Sequence, residues 1–163
     1  MNEHTRKISL RLQGYDYSRP GTYFITICAK DNEMMFGEIT SSHMALSEYG
    51  SIVQTILERT NQAYRTLLLE TFIVMPNHIH MLIYITDPGD QLRRNTDGRP
   101  YSAIMPTFVR TLKTLTTKAL GFSLWQRSYY DNIVHDDTER EIIRQYIKNN
   151  PTTWEKDRFY SAH

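Results

Sequence analysis

The stretch VMPNHIHMLIYI, residues 74–85, sets two histidines one residue apart inside an otherwise apolar run. Side chains alternate across a strand, so His78 and His80 share one face while Ile79, Met81, Ile83 and Ile85 form the opposite, core-facing row. The run before it, LLLETFIVM (67–75), has the same apolar, β-branched character, and Pro76-Asn77 between them is a tight-turn signal. A hairpin follows. An unpaired buried polar group costs stability, so each imidazole is either satisfied by ordinary hydrogen bonds or acts as a metal ligand.

Outward from the hairpin, TYFITICAK (22–30) reads as another strand, and MMFGEI (34–39) as a short partner strand after the KDNE turn. Leu46, Tyr49, Val53, Ile56, Leu57 and Tyr64 follow helical spacing. Pro106 suits the first turn of a second helix, with Phe108, Leu112, Leu115 and Ala119 on one face and Gly121 past its end. FSLWQRSYYDNIV (122–134) reads as extended. A third helix starts near Asp137, with a capping-box pattern at Thr138 and Glu141, and stops before Pro151. Residues 1–20 read as an N-terminal arm and 86–100 as a flexible loop rich in PG and DG breakers. The order β(β)αββαβα implies an α+β fold: one domain over 1–163, with a ferredoxin-like antiparallel sheet and packed helices.

With 163 residues the chain can bury a core without disulfides, and one cysteine, Cys28, excludes an internal disulfide framework and fits a reducing compartment. The polar, basic opening MNEHTRKISLRL and the lack of any membrane-length apolar run make a cytoplasmic location the expectation, with no membrane partner. A net charge of +1 puts any nucleic-acid affinity in a local basic face. A structural zinc site would need about four Cys or His ligands. Beyond the pair, only Cys28 and the scattered His4, His43, His135 and His163 are available. An open site completed by oxygen ligands is the better metal reading. Its imidazoles should then converge on a solvent-reachable point.

On the third helix, DTEREIIRQYIKNNP (137–151), Ile142, Tyr146 and Asn150 recur at intervals of four along one face. Arg140, Arg144 and Lys148 form a basic stripe on another. Alone, this reads better as a surface helix whose tyrosine fills the core and whose basic side is merely solvated.

Taken together and in this order, RKISLRLQGYDYSRPGTYFITICAKDNEMMFGEI, FIVMPNHIHMLI, LWQRSYYDNIV and IIRQYIKNNPTTWEKDRF resemble the REP-associated tyrosine transposases, single-tyrosine members of the HUH transposases of insertion sequences. M-P-N-H-x-H and Y-I-x-x-N-P are the most specific parts. The resemblance implies that His78, His80 and Asn150 hold a divalent metal, Mg²⁺ or Mn²⁺, and that Tyr146 is the nucleophile. It implies metal-dependent cleavage and strand transfer of single-stranded or hairpin DNA through a 5′-phosphotyrosine, by a monomer or homodimer. The family commonly has a histidine where Asn132 stands, so DNA binding could be weakened or retargeted here.

Phosphate contacts expected for such a substrate are Arg110, Lys113, Arg127, Arg144 and Lys148, with Trp125, Tyr129 and Tyr130 as stacking groups. Three alternatives stay open: a non-catalytic DNA-hairpin binder of the same fold, a hydrolase whose histidines activate water, and a plain structural domain.

Overall fold

The computed structural model describes residues 19–86 and 104–160. The N-terminal arm, apart from Arg19 and Pro20, and the 86–100 loop, apart from Thr86, lie outside them. β1 (Gly21–Cys28) is followed by a small hairpin, β2 (Gly37–Thr40) and β3 (His43–Leu46), and by α1 (Glu48–Ala63). Then come β4 (Leu67–Met75), β5 (His78–Ile85), α2 (Ile104–Leu120), β6 (Tyr130–Val134) and α3 (Asp137–Asn149). The main sheet has the order β4-β5-β1-β6 with every neighbouring pair antiparallel. With α1 leading from β1 to β4 and α2 from β5 to β6, this is the ferredoxin-like arrangement, and α3 is an addition to it. No described helix is long and apolar enough to cross a membrane.

Strand alternation gives the sheet two different faces. On one, Tyr23, Ile25 and Ile27 of β1 and Ile79, Met81, Ile83 and Ile85 of β5 pack against Val53 and Leu57 of α1 and Phe108, Val109 and Leu112 of α2. Each fully buried aliphatic side chain there contributes about 1.5–3 kcal/mol. The other face carries a smaller cluster in which Phe24, Leu82 and Val134 meet Ile143 and Ile147 of α3. His78 and His80 belong to this second face, opposite Cys28 and Thr26 of β1.

Three local expectations need correction. The 34–39 segment does supply a strand, but β2 pairs with β3 and not with β1. The SSHM turn between them, with Ser41 and Ser42 at φ 49° and 63°, was hidden because serine carries no strong preference for that conformation. Leu46 and Tyr64 therefore flank α1, whose N-cap is Ser47, accepting from the Gly50 N–H at 3.1 Å. Gly50 lies so close to the Phe36 carbonyl that a Cβ would sit 2.0 Å from its oxygen. The α3 cap lies two residues earlier than expected: the N-cap Asp136 accepts from the Glu139 N–H at 2.7 Å, and Glu139 accepts at 2.8 Å from the N–H of His135, the residue before the cap. Aspartate serves as well as threonine at that position. α2 ends as expected, with Gly121 at φ 80°.

α3 is fixed to the sheet by charge as well as by Ile143 and Ile147. The β4–β5 register shifts between Leu69 and Thr71, leaving Glu70 as an extra residue. Its carboxylate takes Arg140 in a two-point contact and Arg144 Nη2 at 3.0 Å. That anchors the helix over the histidine face.

Candidate active site

The two imidazoles converge. His78 Nε2 and His80 Nε2 are 3.0 Å apart. Each ring is held from behind by a residue the fold places there. His78 Nδ1 is 2.8 Å from Asn77 Oδ1, and the Asn77 amide nitrogen donates to the carbonyls of Phe159, at 2.8 Å, and Asn32, at 3.4 Å. This orients Asn77 Oδ1 as the acceptor, so His78 carries its proton on Nδ1 and turns a lone pair at Nε2 into the site. His80 Nδ1 is 2.8 Å from Thr26 Oγ1, its directly opposite neighbour on β1. The threonine hydroxyl can donate or accept, so either tautomer of His80 is accommodated.

α3 and the chain after it close the cluster. The Tyr146 hydroxyl donates to Asp157 Oδ2 at 2.8 Å and lies 3.4 Å from His80 Nε2. Asn150, one helical turn on, donates through Nδ2 to the same Asp157 oxygen at 2.7 Å. Asp157 Oδ1 accepts from the Phe159 N–H at 2.7 Å. The carboxylate oxygens stand 3.9 Å from His78 Nε2 and 3.5 Å from His80 Nε2.

His78, His80 and Asp157 can each turn a ligand atom to a common point, all within 4.8 Å of one another. Buried Asn150 Oδ1 has no hydrogen-bond partner. Two ring nitrogens, a carboxylate and an orphaned amide oxygen are a donor set that fits a divalent cation of mixed N/O preference, Mn²⁺ better than Mg²⁺. Cys28, opposite His78, is pushed up to about 12, mainly by burial, so it offers no thiolate.

Burial sets the protonation of the cluster. It pushes His78 well below its ordinary value, with His80 adding to the effect, and it lowers His80 as well. The Tyr146 phenol is raised by burial and further by the Asp157 charge, so it rests protonated. Burial alone would raise Asp157 too, but the neighbouring His80 and His78 imidazoles and the Asn150 amide outweigh it and hold the carboxyl below its usual range.

The expected opening to solvent at the imidazoles is not found: both histidines are 0% exposed. The reason is the segment after α3. Trp154 is buried, its ring 5.8 Å from that of His78, and the Phe159 ring lies 4.9 Å from His78. What covers the Nε2 atoms is polar (Asp157 and Tyr146), and Tyr146 itself is 37% exposed.

The residues expected to bind DNA fall into three groups. Arg110, Lys113, Arg127 and Tyr129 line one concavity of about 530 Å³ beside α2, together with Lys118. Within it, the Lys113 ammonium donates to the carbonyls of Gln126, Arg127 and Ser128 at 2.8–3.3 Å, a structural tie. Tyr130 is near the site, half-buried beside Phe159, while Lys148 is exposed on α3. Trp125 and Arg144 are otherwise engaged. Trp125 is a core residue, 5% exposed, tilted against Phe36 with its Nε1–H donating to Thr116 Oγ1 at 2.7 Å, so its ring is no stacking platform. Arg144 is shared between Glu70 and Glu141. Asn132 is half-buried on β6, paired with Phe24 on the histidine side of the sheet.

Sequence reasoning missed Asp157, Asn77 and Thr26. Thr26 could have been found by pairing the two strands residue against residue. Asp157, in an irregular segment after the last helix, follows no periodicity that would mark it.

The model of the family described as Transposase IS200 like matches residues 22–150. An uncharacterized protein of Haemophilus influenzae is 32% identical over 170 residues, covering 96% of this chain and 94% of that protein. A second Haemophilus influenzae protein, provisionally named a REP-associated tyrosine transposase, is 24% identical over 140 residues, covering 83% of this chain and 73% of its own length. Among solved structures, a REP-associated tyrosine transposase bound to a REP hairpin superposes with a TM-score of 0.64 at 14% identity, over 90% of this chain and 74% of that one.

Proposed function

Since the chain belongs to the IS200-like transposase family, we propose that it cuts and rejoins single-stranded DNA, with Tyr146 as the nucleophile. The observation that carries this reading is the Tyr146 hydroxyl itself. It is brought from α3 to within 2.8 Å of Asp157 and 3.4 Å of His80, against a histidine pair on a different element. A tyrosine that merely filled the core would not need a buried carboxylate at its oxygen.

His78, His80 and Asp157 are the residues that would hold the divalent cation, with Asn150 Oδ1 as a further oxygen. When bound, such a cation supplies positive charge to the scissile phosphate and fixes its orientation. The chain's own residues do the rest. Tyr146 is a poor nucleophile while protonated, and its proton already points at Asp157 Oδ2. In-line attack forms the phenolic O–P bond and breaks the P–O3′ bond. The phenol proton passes through Asp157 to solvent, and the leaving 3′ oxygen takes one proton from solvent water to become a free hydroxyl. The 5′ side stays on Tyr146 as a phosphodiester, so a second 3′-hydroxyl can reverse the step without ATP.

Arg110, Lys118 and Arg127 supply a basic face for the DNA backbone. DNA of hairpin form is the substrate suggested by the hairpin held in the solved relative. The product ends test this reading: a polymerase should extend the released strand from its 3′-hydroxyl. Release of both fragments free of protein would favour the metal-hydrolase alternative.

A further inference from the structure

The cations around the site are mostly committed to other groups. Arg140 and Arg144 are held by Glu70, and Lys113 by three carbonyls. Arg158 differs. It is exposed and directly follows Asp157 in the chain, and among the described residues it makes no hydrogen bond or ion pair. Its guanidinium carbon lies 5.3 Å from the centroid of the Tyr130 ring and 5.7 Å from that of Phe159. Those two rings are 5.6 Å apart. A guanidinium over aromatic faces gains cation–π attraction while its N–H donors stay free for another acceptor.

The position matters as much as the chemistry. Tyr130 pairs with Thr26, and Thr26 with His80, so the three stand side by side on β6, β1 and β5. Two strand spacings, about 10 Å, separate the Tyr130 backbone from that of His80. Phe159, the other ring under Arg158, covers His78 at 4.9 Å. A fork of five donors, with no carboxylate partner among the described residues, therefore sits over the rings that flank the cluster. A planar cation preseated on two rings suits a phosphodiester oxygen pair better than a mobile lysine would.

We propose that Arg158, seated on Tyr130 and Phe159, grips the DNA phosphate next to the one that is cut. This deepens the single-strand cleavage reading and rests on it. The test measures binding apart from chemistry, in full-length protein carrying Tyr146→Phe so that no strand is consumed. Affinity for a labelled mixed-sequence single-stranded oligonucleotide is read by anisotropy in Mn²⁺ across a salt series. Adding Arg158→Gln should weaken binding about tenfold and make the slope of log affinity against log salt shallower by about 0.7, one single-strand phosphate contact. Arg158→Lys should restore the slope but only part of the affinity, because the charge returns without the planar seat. Unchanged slope and affinity in Arg158→Gln, or a slope not restored by Lys, overturns the inference. Absence of saturable DNA binding before Arg158 is touched overturns the cleavage reading instead.

Discussion

The Tyr146 hydroxyl and the Asp157 carboxylate are joined by a 2.8 Å hydrogen bond across the end of α3, and Asn150 donates to the same carboxylate oxygen at 2.7 Å. One carboxylate thus stands between the phenol and the two imidazoles.

Asp157→Asn keeps the size of that side chain and removes its charge. It should abolish DNA cleavage and weaken Mn²⁺ binding by tenfold or more, about 1.4 kcal/mol at least. Isothermal titration calorimetry with Mn²⁺ gives the second result independently of any reaction. Wild-type affinity in this variant would remove Asp157 from the ligand set.

His80 is buried on a strand whose opposite face carries the main core. His80→Ala should therefore still fold, at a cost of about 1–3 kcal/mol for the unpaired Thr26 and the space left behind. It should lose metal binding, whereas Thr26→Val should only weaken it. In the wild type, EDTA should stop cleavage and added Mn²⁺ restore it. Cleavage that survives the chelator would contradict a metal role for the pair.

Stability should also depend on pH in a defined direction. His78 and His80 are held below the ordinary value of 6.5 by burial, so the folded chain binds fewer protons there than the unfolded chain. The stability of the metal-free protein is then full above about 6.5 and falls as pH drops through that value toward the lowered ones. The Asp157 shift acts in the same sense, but only below the ordinary carboxylate range. Thermal denaturation in EDTA from neutral to mildly acid pH should show a falling Tm, with a smaller fall in His80→Gln. A Tm that rises on acidification would contradict neutral buried imidazoles.

Much of this arrangement was legible in the residues. The alternation in HIHMLIYI determined which strand face holds the histidines, and the Pro76-Asn77 turn fixed the hairpin. Helix periodicity with Pro106 and Gly121 bounded α2. What stayed hidden was non-local. Whether Trp125 faces the core or solvent depends on how the 122–129 segment pairs beside the end of β1, through the Ala29–Trp125 bridge, which its composition does not reveal. The arginine stripe of α3 was visible, but its partner Glu70 is aimed by a register shift in a distant strand. Asp157 reaches the histidines because Trp154 is buried and the chain turns back, a tertiary effect without local periodicity.

Of the 11 tyrosines, Tyr146 is the one with its oxygen at the His80–Asp157 cluster among the described residues. Tyr146→Phe keeps the ring, which packs edge-on against Phe24 at 6.0 Å, and deletes only the oxygen. The decisive measurement is denaturing gel electrophoresis of the protein mixed, in Mn²⁺, with single-stranded hairpin DNA labelled on the 3′ side of the cut. The wild type should carry the label as a covalent adduct, and Tyr146→Phe should carry none while binding the same DNA with near wild-type affinity. An adduct that persists in the Phe variant, or a wild type that cuts or binds this DNA without ever forming one, would contradict Tyr146 as the nucleophile.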